Sequence, residues 1–347
     1  MRRRNILILL SLFTAVLFFF IYKLIIVEKV SRNYYNISSN VYMNLFNPEN
    51  LKYTFLNYNP TMKNNKILLE KDIKGYTSFA YSESSNKLYF VDVASNNTNQ
   101  LFVRDLQNNK QKQLTKGIAS VDIIQIDKKQ KMIFMRVLLH GEEKRNFHMA
   151  TYNIENDKLE VWDESNTDNS ILDFSYDPNS DKLLLISFSE NDAKSKLEES
   201  NNQQISMVSP RYSLDIHNPN GNKEENILTT ERFINGISFD YNTKSVFLSY
   251  DNDLSASVSK VVKIDILTKK EQILLTSSDK HSKIRGIQLD KERKGLFFLS
   301  SQNAKNTSSL DNFKQNVISY YDIDDDKIED IWKTDKDIIV NYSINMN

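Results

Sequence analysis

The stretch that decides the fold runs from Phe79-Ala80-Tyr81-Ser82 through a turn to Asn86-Lys87 and Leu88-Tyr89-Phe90-Val91, then to Asp105-Leu106 and Gln113-Leu114-Thr115. An alternating segment ends in a polar turn closed by Asn-Lys, and a nearly continuous apolar segment follows at once. A third segment stops at Asp-Leu, and a fourth ends in an apolar residue followed by threonine. The same order returns four more times. Ile124-Gln125-Ile126-Asp127 leads to Lys131 and Met132-Ile133-Phe134-Met135, and Phe174-Ser175-Tyr176-Asp177 leads to Lys182 and Leu183-Leu184-Leu185-Ile186. Ile237-Ser238-Phe239-Asp240 leads to Lys244 and Val246-Phe247-Leu248, and Ile287-Gln288-Leu289-Asp290 leads to Lys294 and Leu296-Phe297-Phe298-Leu299. Third segments close on Asp105-Leu106, Asn153-Ile154, Asp215-Ile216, Asp265-Ile266 and Asp322-Ile323.

Period-two alternation in the first segments reads as half-buried strand, and the apolar second segments read as strands covered on both faces. Four short strands per repeat is the arithmetic of a propeller blade. The ends of the chain complete the count. Lys66-Ile67-Leu68-Leu69-Glu70 reads as a fourth strand with no first strand before it. Ile338 to Ser343 reads as a first strand with nothing after it, and Val41–Phe46 and Lys52–Leu56 supply the missing middle pair. One blade is then shared between the termini. The expectation is an all-β, six-bladed propeller of four-stranded antiparallel blades over 41–347. A seventh blade requires an extra pair of strands in the long unit between Asp177 and Asp240.

The pattern of alternating strand, Asp, turn, Lys and apolar strand, with Asp105-Leu106 and Gln113-Leu114-Thr115-Lys116-Gly117, resembles TolB-like propeller repeats. The resemblance spans roughly residues 40 to 347. It implies a six-bladed ring, related to the N-terminal propellers of prolyl-oligopeptidase-type peptidases, and it carries no catalytic residue over. The chain departs from that pattern in lacking the usual first-turn glycine in every unit. With only seven glycines, the turns are expected to be made by Asn, Asp, Ser and Lys.

The first thirty residues differ from the rest. Arg2, Arg3 and Arg4 precede an apolar run from Ile6 to Tyr22, which resumes after Lys23 as Leu24–Val27, and the first acidic residue is Glu28. Roughly 20 apolar residues in helical form span a bilayer, and arginines on one flank keep that flank cytoplasmic. No small-residue cleavage site follows the apolar core. Residues 1–27 are therefore expected to be a cytoplasmic tail and one transmembrane signal anchor, and 28–40 a linker. The remainder is expected to be extracytoplasmic, in a single-pass protein of the cell membrane.

The chain carries 45 basic and 45 acidic residues and no cysteine. Without Arg2, Arg3, Arg4 and Lys23 the balance is 41 basic to 45 acidic, which leaves no basic footprint for nucleic acid. Absent cysteine excludes disulfides and thiolate chemistry. With its many Asn and Lys residues, the composition resembles exported proteins of low-GC Gram-positive bacteria.

No chemical motif stands out. Asp322, Asp324, Asp325, Asp326, Glu329 and Asp330 could suggest a calcium loop, but in register they form the hairpin between third and fourth strands. A zinc reading would need His140, His148 and Glu142 to converge, without any short ligand spacing to support it. Neither G-x-S-x-G nor a P-loop occurs. No catalytic, metal or cofactor residue is assigned. Asp127, Asp177, Asp240 and Asp290 recur at the ends of first strands, and turn chemistry accounts for that recurrence better than catalysis.

The repeats differ mostly between second and third strands, at Ser187–Gln204 and Ser300–Gln315. In propellers those loops share one face with the interblade connections. They read either as binding loops or as polar decoration. The functional expectation is a non-catalytic binding or assembly module of the bacterial cell envelope, with a protein or cell-wall partner on the loop-rich face. The alternative is a propeller enzyme, carbohydrate-active or lactonase-like, with its site at the channel mouth.

Overall fold

The last described strand pairs with the first. In the computed structural model, β24 (Ile338–Ile344) runs antiparallel to β1 (Val41–Asn47), placing Ile344 opposite Val41 and Ile338 opposite Phe46. β2 (Lys52–Asn59) and β3 (Asn64–Asp72) complete that sheet in the order β24-β1-β2-β3. The structure describes residues 37, 39–141, 146–253, 258–290, 292, 294–302 and 315–344. The chain divides into two compact units, Met1–Ser38 and Ser39–Asn347. Nearly all described residues belong to the second, and every described strand lies within it.

Five further groups of four strands succeed one another in chain order. They are β4 (Phe79–Ser82), β5 (Lys87–Val93), β6 (Asn99–Asp105) and β7 (Gln111–Gln113), then β8 (Ser120–Ile126), β9 (Met132–Leu138), β10 (Phe147–Asn153) and β11 (Lys158–Val161). The next group is β12 (Asn169–Asp177), β13 (Lys182–Ser189), β14 (Tyr212–His217) and β15 (Lys223–Thr230). The last two are β16 (Phe233–Asp240), β17 (Ser245–Asp251), β18 (Ser259–Asp265) and β19 (Glu271–Thr276), and β20 (Ser282–Leu289), β21 (Gly295–Ser301), β22 (Val317–Asp322) and β23 (Lys327–Lys333). Pairing within each group is antiparallel between consecutive strands. One parallel bridge, Asn99 to Ser120, joins the β4–β7 and β8–β11 groups. The described residues thus form six groups of four.

Burial explains the sequence pattern. Every residue of β17 and β21 is buried, because each second strand is covered by sheets on both sides. Apolar layers fill the gaps between consecutive groups, such as Phe55, Phe79, Leu88 and Phe90 at one junction and Leu184, Ile186, Phe239 and Val246 at another. Tyr58 and Trp332 meet edge to face at 4.9 Å between β2 and β23. The first strands touch in sequence around a closed circuit. Gln125 Nε2 donates to the Phe174 carbonyl at 3.2 Å while its Oε1 accepts from Tyr176 N–H at 3.0 Å. Gln288 repeats this geometry on Tyr342 O and Ile344 N–H, at 2.8 and 3.2 Å. Ser238 Oγ accepts from Leu289 N–H, and Asn341 Nδ2 donates to Thr77 O. An amide side chain here replaces the sheet hydrogen bonds that neighbouring first strands cannot make with each other.

The turns need left-handed backbone, and non-glycine residues supply it. Asn86, Gln130, Asp181 and Lys244 sit at φ between 49° and 57° just before their second strands. Asn109, Asp157, Lys269 and Asp326 take φ between 51° and 60° in the hairpins between third and fourth strands. Serine takes none of these eight left-handed positions and glutamine takes one, while Ser84, Ser85 and Ser180 occupy other places in the turns. Serine instead bonds within turns, as Ser180 Oγ does to Asp177 Oδ2 at 2.7 Å.

Two expectations about length need adjustment. The long unit between Asp177 and Asp240 holds no additional strands; its extra residues form helix α1 (Glu190–Gln203), so it adds no seventh blade. Ser189 caps the helix by accepting from Asp192 N–H at 3.1 Å. Asp168 accepts from Asn191 N–H, and Lys196 Nζ donates to Ser209 O at 3.1 Å and Glu231 Oε1 at 3.0 Å. Much of the Ser300–Gln315 insert, 303–314, lies outside the described residues, as do the expected membrane span and 28–36 of the linker. Among the described residues no helix is long and apolar enough to cross a membrane.

Candidate functional site: the two ends of a central channel

The six first strands, β4, β8, β12, β16, β20 and β24, enclose a cavity of about 430 Å³. Its two ends are chemically unlike. At the turn end the recurring carboxylates are buried and committed to their own turns. Asp127 Oδ1 accepts from the N–H groups of Lys131 and Met132, both at 2.7 Å. Asp177 accepts from Asn179 N–H and Ser180 Oγ, and from Tyr241 N–H of the next group at 3.1 Å. Asp240 Oδ1 accepts from Asn242 N–H, and Asp290 accepts from Lys294 N–H at 2.8 Å and the Tyr320 hydroxyl at 2.8 Å. These groups hold hairpins.

The other end, where the first strands begin, is the mouth. β8, β12, β16, β20 and β24 each carry a register shift near it, between Val121 and Ile124, Ile171 and Asp173, Ile234 and Gly236, Ser282 and Arg285, and Ile339 and Asn341. A bulge turns a side chain away from strict alternation. A polar residue stands near the start of each first strand, or just before it for β4, and the set is mixed in charge: Thr77 and Ser78, Asp122, Asp173, Asn235, Arg285 and Asn341. Asp173, Arg285 and Asn341 line the cavity with Tyr76, Ser78 and Gln315. Sequence reading missed this set by following the residues that repeat. The available signal was a polar residue four or five places before each turn aspartate.

Arg136 of β9 organises one side. It forms a bidentate pair with Asp122, with Nε to Oδ1 at 3.0 Å and Nη2 to Oδ2, and its Nη1 donates to Leu172 O. Its guanidinium lies 4.3 Å from the Phe147 ring centroid. Asp173 next to this pair accepts only from its neighbour Phe174 N–H, at 2.8 Å, among the described residues. Burial pushes the Asp173 carboxyl up to about 6, the Arg136 charge opposes the shift, and Asp122 adds to it. Burial and the Asp122 charge raise the Tyr76 phenol to about 12, so it is a neutral donor at physiological pH. Tyr342 donates to Gly286 O at 2.5 Å, and burial lifts its phenol well above the usual range. Gly236 lets β16 approach β20, since a Cβ there would stand 2.7 Å from Gly286 N.

The other candidates stay apart. His140 follows β9 and His148 lies buried in β10, while Glu142 falls outside the described residues. His217 Nδ1 contacts Gly221 O, and His281 Nε2 lies 2.7 Å from Asp330 Oδ1. Asp322 Oδ1 accepts from the N–H groups of Asp324 and Asp325, and Asp326 accepts from the Tyr321 hydroxyl. Among the described residues no three His, Cys, Asp or Glu side chains gather closely enough to hold a metal ion.

Solved structures share this arrangement. The chain is similar to TolB from Acinetobacter baumannii, with a TM-score of 0.57 and 14% identity over 89% of this chain and 67% of that one. The chain is a β-propeller. It is also similar to a structure of a nidogen/laminin complex, with a TM-score of 0.58 and 10% identity over 88% of this chain and 98% of that one. An oligogalacturonate lyase in complex with manganese matches with a TM-score of 0.52 and 11% identity over 84% of this chain and 72% of that one. At such identities the likeness concerns the fold alone, and fold does not carry activity. No family model matches the chain, and no curated protein matches it.

The propeller face at the mouth also bears α1. The segment after it, Ile205 to Val208, crosses back over the helix, with Val208 N–H donating to Ser200 Oγ at 3.2 Å. Leu197, Ile205, Met207 and Val208 are each 38 to 50% exposed. Val41, where the chain enters the ring, pairs with Ile344 at the opposite, turn end.

Proposed function

We propose that this propeller is a non-catalytic binding or assembly module of the bacterial cell envelope, of TolB-like six-bladed form. In this reading an N-terminal span tethers it on the outer side of the cell membrane. The carrying observation is the strip of Leu197, Ile205, Met207 and Val208 on a rigid ring. Four large apolar side chains exposed in one insertion are what a protein partner would cover. The strip is on the loop-bearing face, at the end of the ring opposite Val41.

Crosslinking on living cells tests the reading directly. The intact protein should give a discrete partner adduct that Ile205→Asp with Met207→Asp abolishes without changing the melting temperature. An adduct that survives both substitutions removes the strip from the account. Protease added to intact cells should digest the propeller, and protection equal to that of a cytosolic control would refute the outward location.

A second reading, an enzyme acting at the mouth, is favoured by one observation. The Asp173 carboxyl, raised to about 6, lies in the range useful to a general acid or base. Turnover of a glycoside, uronide or lactone substrate that Asp173→Asn eliminates would establish it over the binding role.

A further inference from the structure

The charges at the mouth fall into two sectors. On the β8 and β12 side are two carboxylates, Asp122 and Asp173, with Arg136 between them already committed to Asp122 and to backbone carbonyls. This leaves one negative charge in excess, on Asp173, whose carboxylate bonds no side chain among the described residues. Tyr76 lines the same cavity as Asp173, its residue partly exposed but its hydroxyl enclosed and within reach of the Asp122 and Asp173 charges. On the β20 side is Arg285, exposed at the cavity wall, with no ion pair among the described residues. Lys283 is near enough for the Arg285 charge to disfavour its own. Ile123, Phe174, Ile287 and Leu299 supply apolar wall along the channel.

A carboxylate beside an aromatic ring suits an ammonium group, which can be held by charge, hydrogen bond and ring face together. An uncommitted guanidinium suits a carboxylate in bidentate geometry. The two lie two blades apart around a cavity of about 430 Å³, which suits a molecule of amino-acid to dipeptide size better than a polymer. We propose that the channel mouth binds a small zwitterionic amino compound, a free amino acid or a short peptide. Its ammonium sits at Asp173 and Tyr76, and its carboxylate sits on Arg285. The assignment depends neither on the tether nor on the partner of the loop-bearing face, and it stands if either fails. No bond is made or broken in the ligand.

Calorimetric titration of the full chain in detergent micelles tests this with alanine, dialanine, 6-aminohexanoate, hexylamine and hexanoate. At least one of the three zwitterions should bind roughly ten- to a hundredfold more tightly than either singly charged probe. Alanine matching dialanine would point to free amino acids, and dialanine alone to short peptides. Asp173→Asn should bring the zwitterion's affinity down to that of hexanoate, and Arg285→Gln down to that of hexylamine. Both variants should melt cooperatively, because one is isosteric and the other lies at an exposed side chain. The proposal is overturned if no zwitterion produces heat at millimolar concentration, if hexylamine or hexanoate binds as well, or if both folded variants bind like the unsubstituted protein.

Discussion

Both ends of the first strands carry polar side chains, and they use them in opposite ways. At the turn end the residue repeats as Asp127, Asp177, Asp240 and Asp290, each buried and each bonded to N–H groups of its own hairpin. At the mouth, four or five residues earlier, the side chain changes from strand to strand and includes both signs of charge. A repeated residue answers a need that every blade has, which is to close a turn without glycine. A residue that is not fixed from strand to strand is free of that need and open to a specific use.

The largest test of this contrast is Asp177→Ala. Removing a buried carboxylate that holds Asn179, Ser180 and Tyr241 leaves those donors unpaired, and should cost about 3 kcal/mol in denaturant unfolding. Titrated zwitterions should still bind the remaining folded protein with unchanged affinity. A small loss of stability would mean that the turn aspartates are not structural.

Gly236→Ala comes next, at about 2 kcal/mol, because the added methyl meets Gly286 backbone at 2.7 Å and neither strand can retreat from a closed ring. Gly141→Ala has no neighbour within 4 Å of the new Cβ and is strained only by its φ of +77°. Equal losses at the two sites would sink the idea that ring closure sets the cost.

Asp173→Asn reverses the sign. Its folded carboxyl titrates near 6, against 3.8 for the ordinary group. The folded state therefore holds the proton more tightly, so this residue favours folding below about pH 4 and progressively opposes it as pH rises through 6. The full shift corresponds to about 3 kcal/mol, which solvent screening of this half-buried carboxyl reduces; at pH 7.5 the substitution should stabilise by about 1 kcal/mol, and the difference should vanish at pH 3.5. Urea melts at the two pH values measure this, and a constant difference would contradict it.

The smallest effect concerns Lys244, which holds φ at 53° in a first turn. Glycine removes the steric cost of left-handed backbone but loses entropy on folding, so Lys244→Gly should stabilise by about 0.5 kcal/mol. Destabilisation would show that the Lys244 ammonium, 3.4 Å from the Tyr241 ring centroid, matters more than its backbone.

Legibility in the sequence tracked the range of the interactions. Alternation in Ile124–Asp127 and the apolar run of Leu183–Ile186 announced strands because burial acts at each residue separately. α1 was harder to see. Its 14 residues carry only Leu197 as a large apolar group, so no stripe marks a helix, although Ser189-Glu190-Asn191-Asp192 contains a capping signal. Its supports at Asp168, Ser209 and Glu231 come from three other segments.

Repeat spacing, turn chemistry and the unpaired strands at Lys66–Glu70 and Ile338–Ser343 were sufficient for six groups of four and for a shared closing sheet. Each depends on neighbours within a few residues, or on counting. Which side chains meet at the mouth was beyond the sequence. Arg136 clamps Asp122 and the Leu172 carbonyl across a blade boundary, and Arg285 and Asp173 line one cavity only because the ring closes. The shift of the Asp173 carboxyl comes from enclosure beside Arg136 and Asp122 of the neighbouring group of strands, so only the assembled ring decides the chemistry of its channel.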